Sequence, residues 1–183
     1  MAGAFDFIAS HTVTGATENV ITFTSIPQTY QDLYFVGSIL TDPGNTNAYC
    51  PIYPDNAYGG WLTTNFGGST RFSIPPSGSM SMSNVANEWR SRYVNGYSAT
   101  ETGPCYFEWT LMNYTTSTSY VAGFNQIGWS SFNGSYQEQY MGGHSVWDSY
   151  TGNGAGPILA LNLAFGATYL AVGTKISLYG IGS

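Results

Sequence analysis

Charged side chains are the scarcest component of this 183-residue chain. Lysine and arginine together number 4, aspartate and glutamate 10, and charged residues make up 8% of the sequence, against about 25% in a typical soluble domain. Four cations cannot neutralise a run of phosphates, and the formal net charge is −6. The composition therefore argues against nucleic acid as a partner, and against an anionic membrane surface for the same reason.

Residues that build metal and catalytic centres are also few. His11 and His144 have no partner at metal-ligand spacing, and a lone histidine near glycine more often forms a loop hydrogen bond. Cys50 and Cys105 are either free, buried thiols or a disulfide, and the sequence leaves both readings open. We predict no catalytic residues, no cofactor and no metal, and hence a protein that is not an enzyme.

Carboxylates are scattered singly along the chain. Glycoside hydrolysis needs two of them across a cleft, and in principle a pair could come from Glu88, Glu101, Glu108 and Glu138. Glu108 alternates with aromatic residues, which is typical of the polar face of a strand. No catalytic pair can be placed from the sequence.

Long apolar runs are missing as well. No stretch approaches the length of a transmembrane helix, and the opening residues MAGAFD lack the basic and apolar regions of a secretory signal. We therefore expect no secretion signal and no membrane partner.

Glycine (23), tyrosine (15) and phenylalanine (10) are abundant instead, together with serine, threonine and asparagine. This composition is typical of a twisted all-β domain. Alternation of apolar and polar residues predicts strands at 19–26 (NVITFTSI), 32–40 (DLYFVGSIL), 105–114 (CYFEWTLMNY), 118–129 (TSYVAGFNQIGW), 158–165 (ILALNLAF) and 174–181 (TKISLYGI). A hairpin should join the third and fourth of these, with Thr115 to Thr118 as its turn.

The alternation also predicts which residues share a face. One set comprises Ile21, Phe23, Leu33, Phe35, Ile39, Phe107, Trp109, Leu111, Leu159, Leu161, Leu163, Phe165, Ile176 and Leu178. The opposite set includes Tyr34, Val36, Tyr106, Glu108 and Tyr179. A corner set by Pro27 should separate the first two strands.

Between these strands we interpret 41–61, 64–84 and 128–157 as long loops rich in glycine and aromatic residues, and 82–94 as the place for at most one short helix. The predicted fold is a single domain spanning 1–183, all-β, with a jelly-roll-like antiparallel β-sandwich.

Aromatic side chains in long, glycine-rich loops favour protein or sugar contact. The segment NEWRSR (87–92) has two readings, a salt-bridged turn or protomer contact, and a sugar site with Trp89 as a stacking platform. The residues predicted to contact a partner or a glycan are Trp89, Trp129, Phe132, Tyr136, Tyr140 and Trp147.

Three stretches resemble a family of small virion proteins of tailed bacteriophages, common among phages of aquatic bacteria. They are FDFIAS (5–10) followed by NVITFTSIPQTYQDLYFVGSI (19–39), the central YFEWTLMNYTTSTSY (106–120), and the closing AVGTKISLYGI (171–181). Together they cover about a third of the chain and agree in order and spacing. The resemblance implies a jelly-roll-like, non-enzymatic component of the particle, typically a trimer.

Two roles follow from this resemblance. The first is a capsid decoration (cement or cap) protein that binds the major capsid protein on the particle exterior and stabilises it. The second is a tail- or head-fibre domain that binds host surface glycans. The large number of aromatic residues also favours self-association, and we expect a homotrimer.

Overall fold

The computed structural model describes residues 5–15, 17–40, 48–55, 66–74, 81–85, 89–94, 105–116, 120–132, 136–148, 157–164 and 169–182. Every regular element in these ranges is a strand, and no helix occurs among them. In β4 to β7, in β10 and in most of β9 the description covers the backbone alone. The strands are β1 (Asp6–Thr12), β2 (Val20–Phe23), β3 (Asp32–Ile39), β4 (Ala48–Asp55), β5 (Phe66–Ile74), β6 (Ser81–Val85), β7 (Trp89–Val94), β8 (Cys105–Met112), β9 (Tyr120–Phe132), β10 (Tyr136–Asp148), β11 (Ala160–Ala164) and β12 (Lys175–Ile181).

These strands form two antiparallel sheets. The large sheet has eight strands in the order β1-β12-β3-β8-β9-β10-β5-β6, and the small sheet has four in the order β2-β11-β4-β7. All pairings are antiparallel. The last strand, β12, lies between β1 and β3, so both ends of the described chain meet in the large sheet. The predicted all-β, antiparallel class is confirmed.

One hydrophobic core joins the two sheets. Its buried members come from β2 and β11 of the small sheet and from β3, β8, β9 and β12 of the large one, with further residues from the connections: Val13, Ile21, Phe23, Ile26, Leu33, Phe35, Ile39, Trp109, Leu111, Tyr114, Val121, Ile158, Leu161, Leu163, Leu170, Ile176 and Leu178. Phe23 and Phe35 meet across the sheets edge to face, with ring centroids 5.7 Å apart. Since burial of each such side chain contributes about 1.5–3 kcal/mol, this set is the main stabilising feature of the described fold.

The predicted alternation is confirmed for most of this core. Ile21, Leu33, Trp109 and Leu178 are fully buried, as their phase in each strand requires. Side chains of Phe107 and Phe165 lie outside the described residues. Asn162 is also buried, although it alternates with the buried Leu161 and Leu163, and its Oδ1 accepts a hydrogen bond of 2.9 Å from the Thr22 hydroxyl on the neighbouring strand.

The chain crosses from the small sheet to the large one at the predicted corner near Pro27. Ser25 takes a positive φ of 55°, which turns the backbone at the end of β2. Ile26 then lies buried, and its N–H donates to the Leu159 carbonyl at 3.0 Å. The Pro27 carbonyl accepts a hydrogen bond from the hydroxyl of the buried Tyr114. The corner is therefore anchored to two other segments of the chain.

Close contacts at Gly180 and at Thr174 hold the two ends of β12. A Cβ at Gly180 would overlap the ring of Tyr30, so only glycine lets that ring lie against the strand. Thr174, fully buried just before β12, exchanges hydrogen bonds with Leu40: its hydroxyl donates to the carbonyl at 2.8 Å and accepts from the N–H at 2.9 Å.

The interpretation of long loops is wrong for much of the chain. β4 lies within 41–61, β5 and most of β6 lie within 64–84, and β10 with the end of β9 lies within 128–157. The range 82–94, named for a short helix, contains strand residues of β6 and β7 instead. These strands pair with neighbours along most of their length, and such pairing outweighs a weak local pattern.

The predicted hairpin of β8 and β9 is confirmed. Its pairing runs from Met112↔Ala122 to Tyr106↔Gly128 without a shift. The turn begins at Asn113, whose φ is 58° and whose carbonyl accepts the Thr116 N–H at 3.1 Å. The Asn113 N–H donates to the Asp32 carboxylate at 2.9 Å, which ties this turn to the start of β3.

Candidate functional site

The outer face of the large sheet, opposite the core, has a row of aromatic residues in register. Cross-strand pairs link five adjacent strands in the order Phe7 (β1), Tyr179 (β12), Tyr34 (β3), Thr110 (β8) and Phe124 (β9). Neighbouring side chains of such a row lie about 4.5–5.5 Å apart at Cβ. Four of the five positions hold aromatic rings.

Several apolar side chains of this outer face are open to solvent. Phe7 is 61% exposed, Phe5 55%, Tyr106 47% and Phe124 42%, and Met112 is exposed beside them. A contiguous exposed apolar surface is uncommon on monomeric soluble proteins and marks an interaction site. We call the surface formed by Phe5, Phe7, Tyr34, Val36, Tyr106, Met112, Phe124 and Tyr179 the aromatic face.

Ring contacts fix the side chains at the β1 end of the aromatic face. Phe5 meets Tyr34 edge to face with centroids 5.4 Å apart, and Phe7 meets Tyr179 in the same way at 5.7 Å. Tyr34 and Tyr179 lie beside each other at 6.4 Å. Edge-to-face pairs contribute roughly 0.5–1.5 kcal/mol beyond burial, so these rings hold their orientation before any partner arrives.

An open groove of about 380 Å³ lies among these rings. Its lining residues are Phe5, Tyr34, Val36 and Tyr179. This volume falls near the lower end of the roughly 300–1,000 Å³ that small-ligand sites occupy. We call this feature the Phe5 groove.

A hydrogen-bonded group of phenols and a carboxylate lies on β3 and β8 beside the groove. The Tyr106 hydroxyl donates to Glu108 Oε2 at 2.7 Å. Although Tyr106 is 47% exposed as a whole, desolvation raises its pKa strongly, and the hydrogen bond to Glu108 adds to that rise. Desolvation also raises the pKa of Tyr34, against a hydrogen bond with Tyr106 that lowers it. Both phenols therefore stay neutral at physiological pH.

Formal charges are sparse on the aromatic face. In the strand positions that share its phase, the described residues include Glu108 beside Val36, Lys175 beside Ser38, and Asp32 beside Met112. The Asp32 carboxylate already accepts the Asn113 N–H. The surface is consequently dominated by rings and hydroxyls, and its contacts should depend little on salt.

His11 lies on the core-facing side of β1, away from the aromatic face. Its Nε2 contacts Glu18 Oε2 at 2.5 Å. The hydrogen bond with His11 is the largest factor that lowers the pKa of Glu18, and backbone N–H groups of Thr14 and Gly15 add to it. This contact joins β1 to the connection that leads to β2, and we call it the His11–Glu18 clasp. His144, by contrast, lies in β10 opposite Phe124 and Thr70.

The six predicted contact residues all lie in strands. Trp89 begins β7 opposite Ile52 in the small sheet, and the other five lie in the paired strands β9 and β10. Trp129 has the same parity along β9 as the buried Val121, which is also the partner of Trp147. The side chains of the six predicted contact residues lie outside the described part of the structure, so the contact role of all six stays a prediction.

Phe132 has the opposite parity in β9 and shares it with the exposed Phe124. Tyr136 pairs with Phe132, and Tyr140 pairs with Gly128, which in turn pairs with Tyr106. These three predicted contact residues therefore occupy register positions in line with the aromatic face.

Sequence reasoning missed the aromatic face itself. It assigned Tyr34, Val36, Tyr106 and Tyr179 to the side away from the core but attached no role to them. The available signal was aromatic residues in both phases of one strand, as in DLYFVGSIL, since a solvated face would carry charged or small polar residues instead. The strand β1 was not named from its alternation at all.

Within the described ranges, no cluster of three or more histidine, cysteine or carboxylate residues could hold a metal ion. The same ranges contain no helix that is long and apolar enough to cross a membrane. Cys50 lies in β4 of the small sheet and Cys105 in β8 of the large one, and whether they pair stays open.

Comparison with known proteins adds no relative. No family model matches the chain, and neither a curated protein nor a solved structure matches it.

Proposed function

We propose that the protein is a non-enzymatic structural component of a tailed-phage virion, and that it decorates the capsid exterior as a homotrimer. The observation that supports this best is the aromatic face, an exposed surface of aromatic and other apolar side chains with few formal charges, on an all-β fold. The resemblance of residues 5–10, 19–39, 106–120 and 171–181 to small virion proteins points the same way.

A jelly-roll-like sandwich is part of the proposal. It is supported by the core that the two antiparallel sheets share.

The capsid contact would use the β8–β9 side of the aromatic face. Tyr106, Met112 and Phe124 are exposed there, and their rows continue in register toward β10. Burial of apolar area contributes about 25 cal/mol per Å² before the costs of association. A trimer would bind through three such surfaces at once, so weak individual contacts would suffice.

The test is a comparison of purified particles with and without this protein. Decoration predicts many copies per particle by quantitative mass spectrometry, and a lower temperature of genome release when the protein is absent. Phe124→Ala should reduce the protein's occupancy on added-back capsids, whereas Val172→Ala, at an exposed residue that is not one of those forming the aromatic face, should leave occupancy unchanged. Few copies per particle, or unchanged capsid stability, would contradict decoration.

The second candidate is a fibre domain that binds host glycans. It is favoured by the aromatic rings that lie next to the Tyr106–Glu108 pair, because rings and hydrogen-bonding groups together suit sugars. A fibre domain would be present in few copies, and the isolated protein would bind host cells.

A further inference from the structure

The Phe5 groove differs chemically from the rest of the aromatic face. Its rings are already in contact through the Phe5–Tyr34 and Tyr34–Tyr179 pairs, and two of its four described lining residues carry hydroxyls. A surface made only to exclude water would need no hydroxyls at its centre. Concave sites that combine apolar walls with a few polar groups are the usual form of a small-ligand site.

The charges around the Phe5 groove limit the class of ligand that it can bind. Among the residues that the structure describes, no ionised side chain lines the groove, and the nearest described charge in register is the Glu108 carboxylate, which pairs with Val36 across β3 and β8. Together with the net charge of −6, this carboxylate disfavours an anionic ligand. None of the four described lining residues is a cation that could offset it.

The hydroxyl groups in and beside the Phe5 groove limit the class of ligand further. The Tyr34 side chain is a neutral phenol, whose hydroxyl can donate as well as accept a hydrogen bond. Ser177 and Ser10 continue the Val36 row on β12 and β1, and add hydroxyls beside the rings. A purely apolar ligand would cover these hydroxyls without bonding to them, which is costly.

We propose that the Phe5 groove binds a neutral saccharide. The C–H face of one sugar ring packs on the rings of Phe5 and Tyr179, and the sugar hydroxyls exchange hydrogen bonds with Tyr34 and the neighbouring serines. The modest volume favours a terminal sugar unit over the interior of a long polymer. The site lies on β1, β12 and β3, apart from the proposed capsid contact near β8 and β9, and the proposal does not depend on that contact.

The test is a titration of the full-length protein by calorimetry and saturation-transfer NMR, with maltose, cellobiose and lactose as neutral probes and glucuronate as the anionic one. Phe5→Ala should weaken the binding of the preferred sugar about fivefold, from the loss of ring packing. Tyr34→Phe, which keeps the ring, should weaken it roughly two- to tenfold through one lost hydrogen bond. Phe124→Ala, on the same face outside the groove, is the matched control and should retain full affinity.

Each other outcome overturns the proposal. Absence of binding by all three neutral probes at tens of millimolar would exclude the site, as would equal binding of glucuronate. Equal losses in Phe5→Ala and Phe124→Ala would place the contact elsewhere on the face. Because capsid occupancy is measured separately, groove variants that lose sugar but keep the capsid contact separate this proposal from the proposed function.

Discussion

The hydroxyl of Tyr114 should be a stabilising contact at the corner between the two sheets. Tyr114 is fully buried, and its hydroxyl donates to the Pro27 carbonyl and lies against the backbone N–H of Tyr30. One oxygen thus contacts the backbone at two points of the connection between β2 and β3, Pro27 and Tyr30. Tyr114→Phe removes this oxygen and keeps the ring, so packing is nearly preserved.

The magnitude follows from the groups left without a partner. A backbone polar group that loses its hydrogen bond in a buried setting costs about 1–3 kcal/mol. We expect Tyr114→Phe to lower the free energy of unfolding by about 2 kcal/mol. In a chain of this size, each kcal/mol corresponds to roughly 2–4 °C in Tm, so the expected loss is roughly 4–8 °C.

The assay is urea and thermal unfolding followed by circular dichroism. Tyr169→Phe is the control, because Tyr169 is exposed and the change there should stay within about 0.5 kcal/mol. Equal stability of the two variants would show that the Tyr114 hydroxyl does not hold the corner, and would refute the reasoning.

Two further predictions concern the clasp after β1 and the core. The pKa of Glu18 in the folded protein is held below its ordinary value. The ionised Glu18 carboxylate therefore stabilises the fold fully at a pH above the ordinary pKa, and this stabilisation is lost as the pH falls through the lowered, folded-state pKa. The Tm advantage of the wild-type protein over Glu18→Gln should therefore be largest near neutral pH and shrink between about pH 5 and pH 3; an advantage that stays constant would contradict the His11–Glu18 clasp. Phe35→Ala removes a fully buried ring that meets another across the sheets, and should cost about 3–5 kcal/mol in urea unfolding. Phe7→Ala, at a largely exposed ring, should cost under about 1.5 kcal/mol, and similar losses for both would place the core elsewhere.

The sequence was sufficient to predict strands with strong alternation. The phase of VITF and DLYF placed Ile21 and Phe35 in the core, because an apolar residue at every second position has only one face to bury. The corner at Pro27 was predictable for a similar reason, since proline interrupts a strand and the pattern resumes after it.

The remaining strands were not predictable from local pattern. In β10 the pair Gly142-Gly143 has the composition of a turn, yet both residues pair with β9 and β5. The partners on both sides, distant in sequence in the case of β5, supply the hydrogen bonds that define this strand. The Phe5 groove was hidden for a related reason: Phe5, Tyr34 and Tyr179 come together only because β12 inserts between β1 and β3.

The most direct test of the account is a cryo-EM map of the native phage particle that carries this chain. The account predicts trimeric density at symmetric positions on the capsid exterior, with Tyr106, Met112 and Phe124 buried against the capsid protein. A map that places the chain at a fibre, or that leaves the aromatic face open to solvent on the capsid, would contradict it.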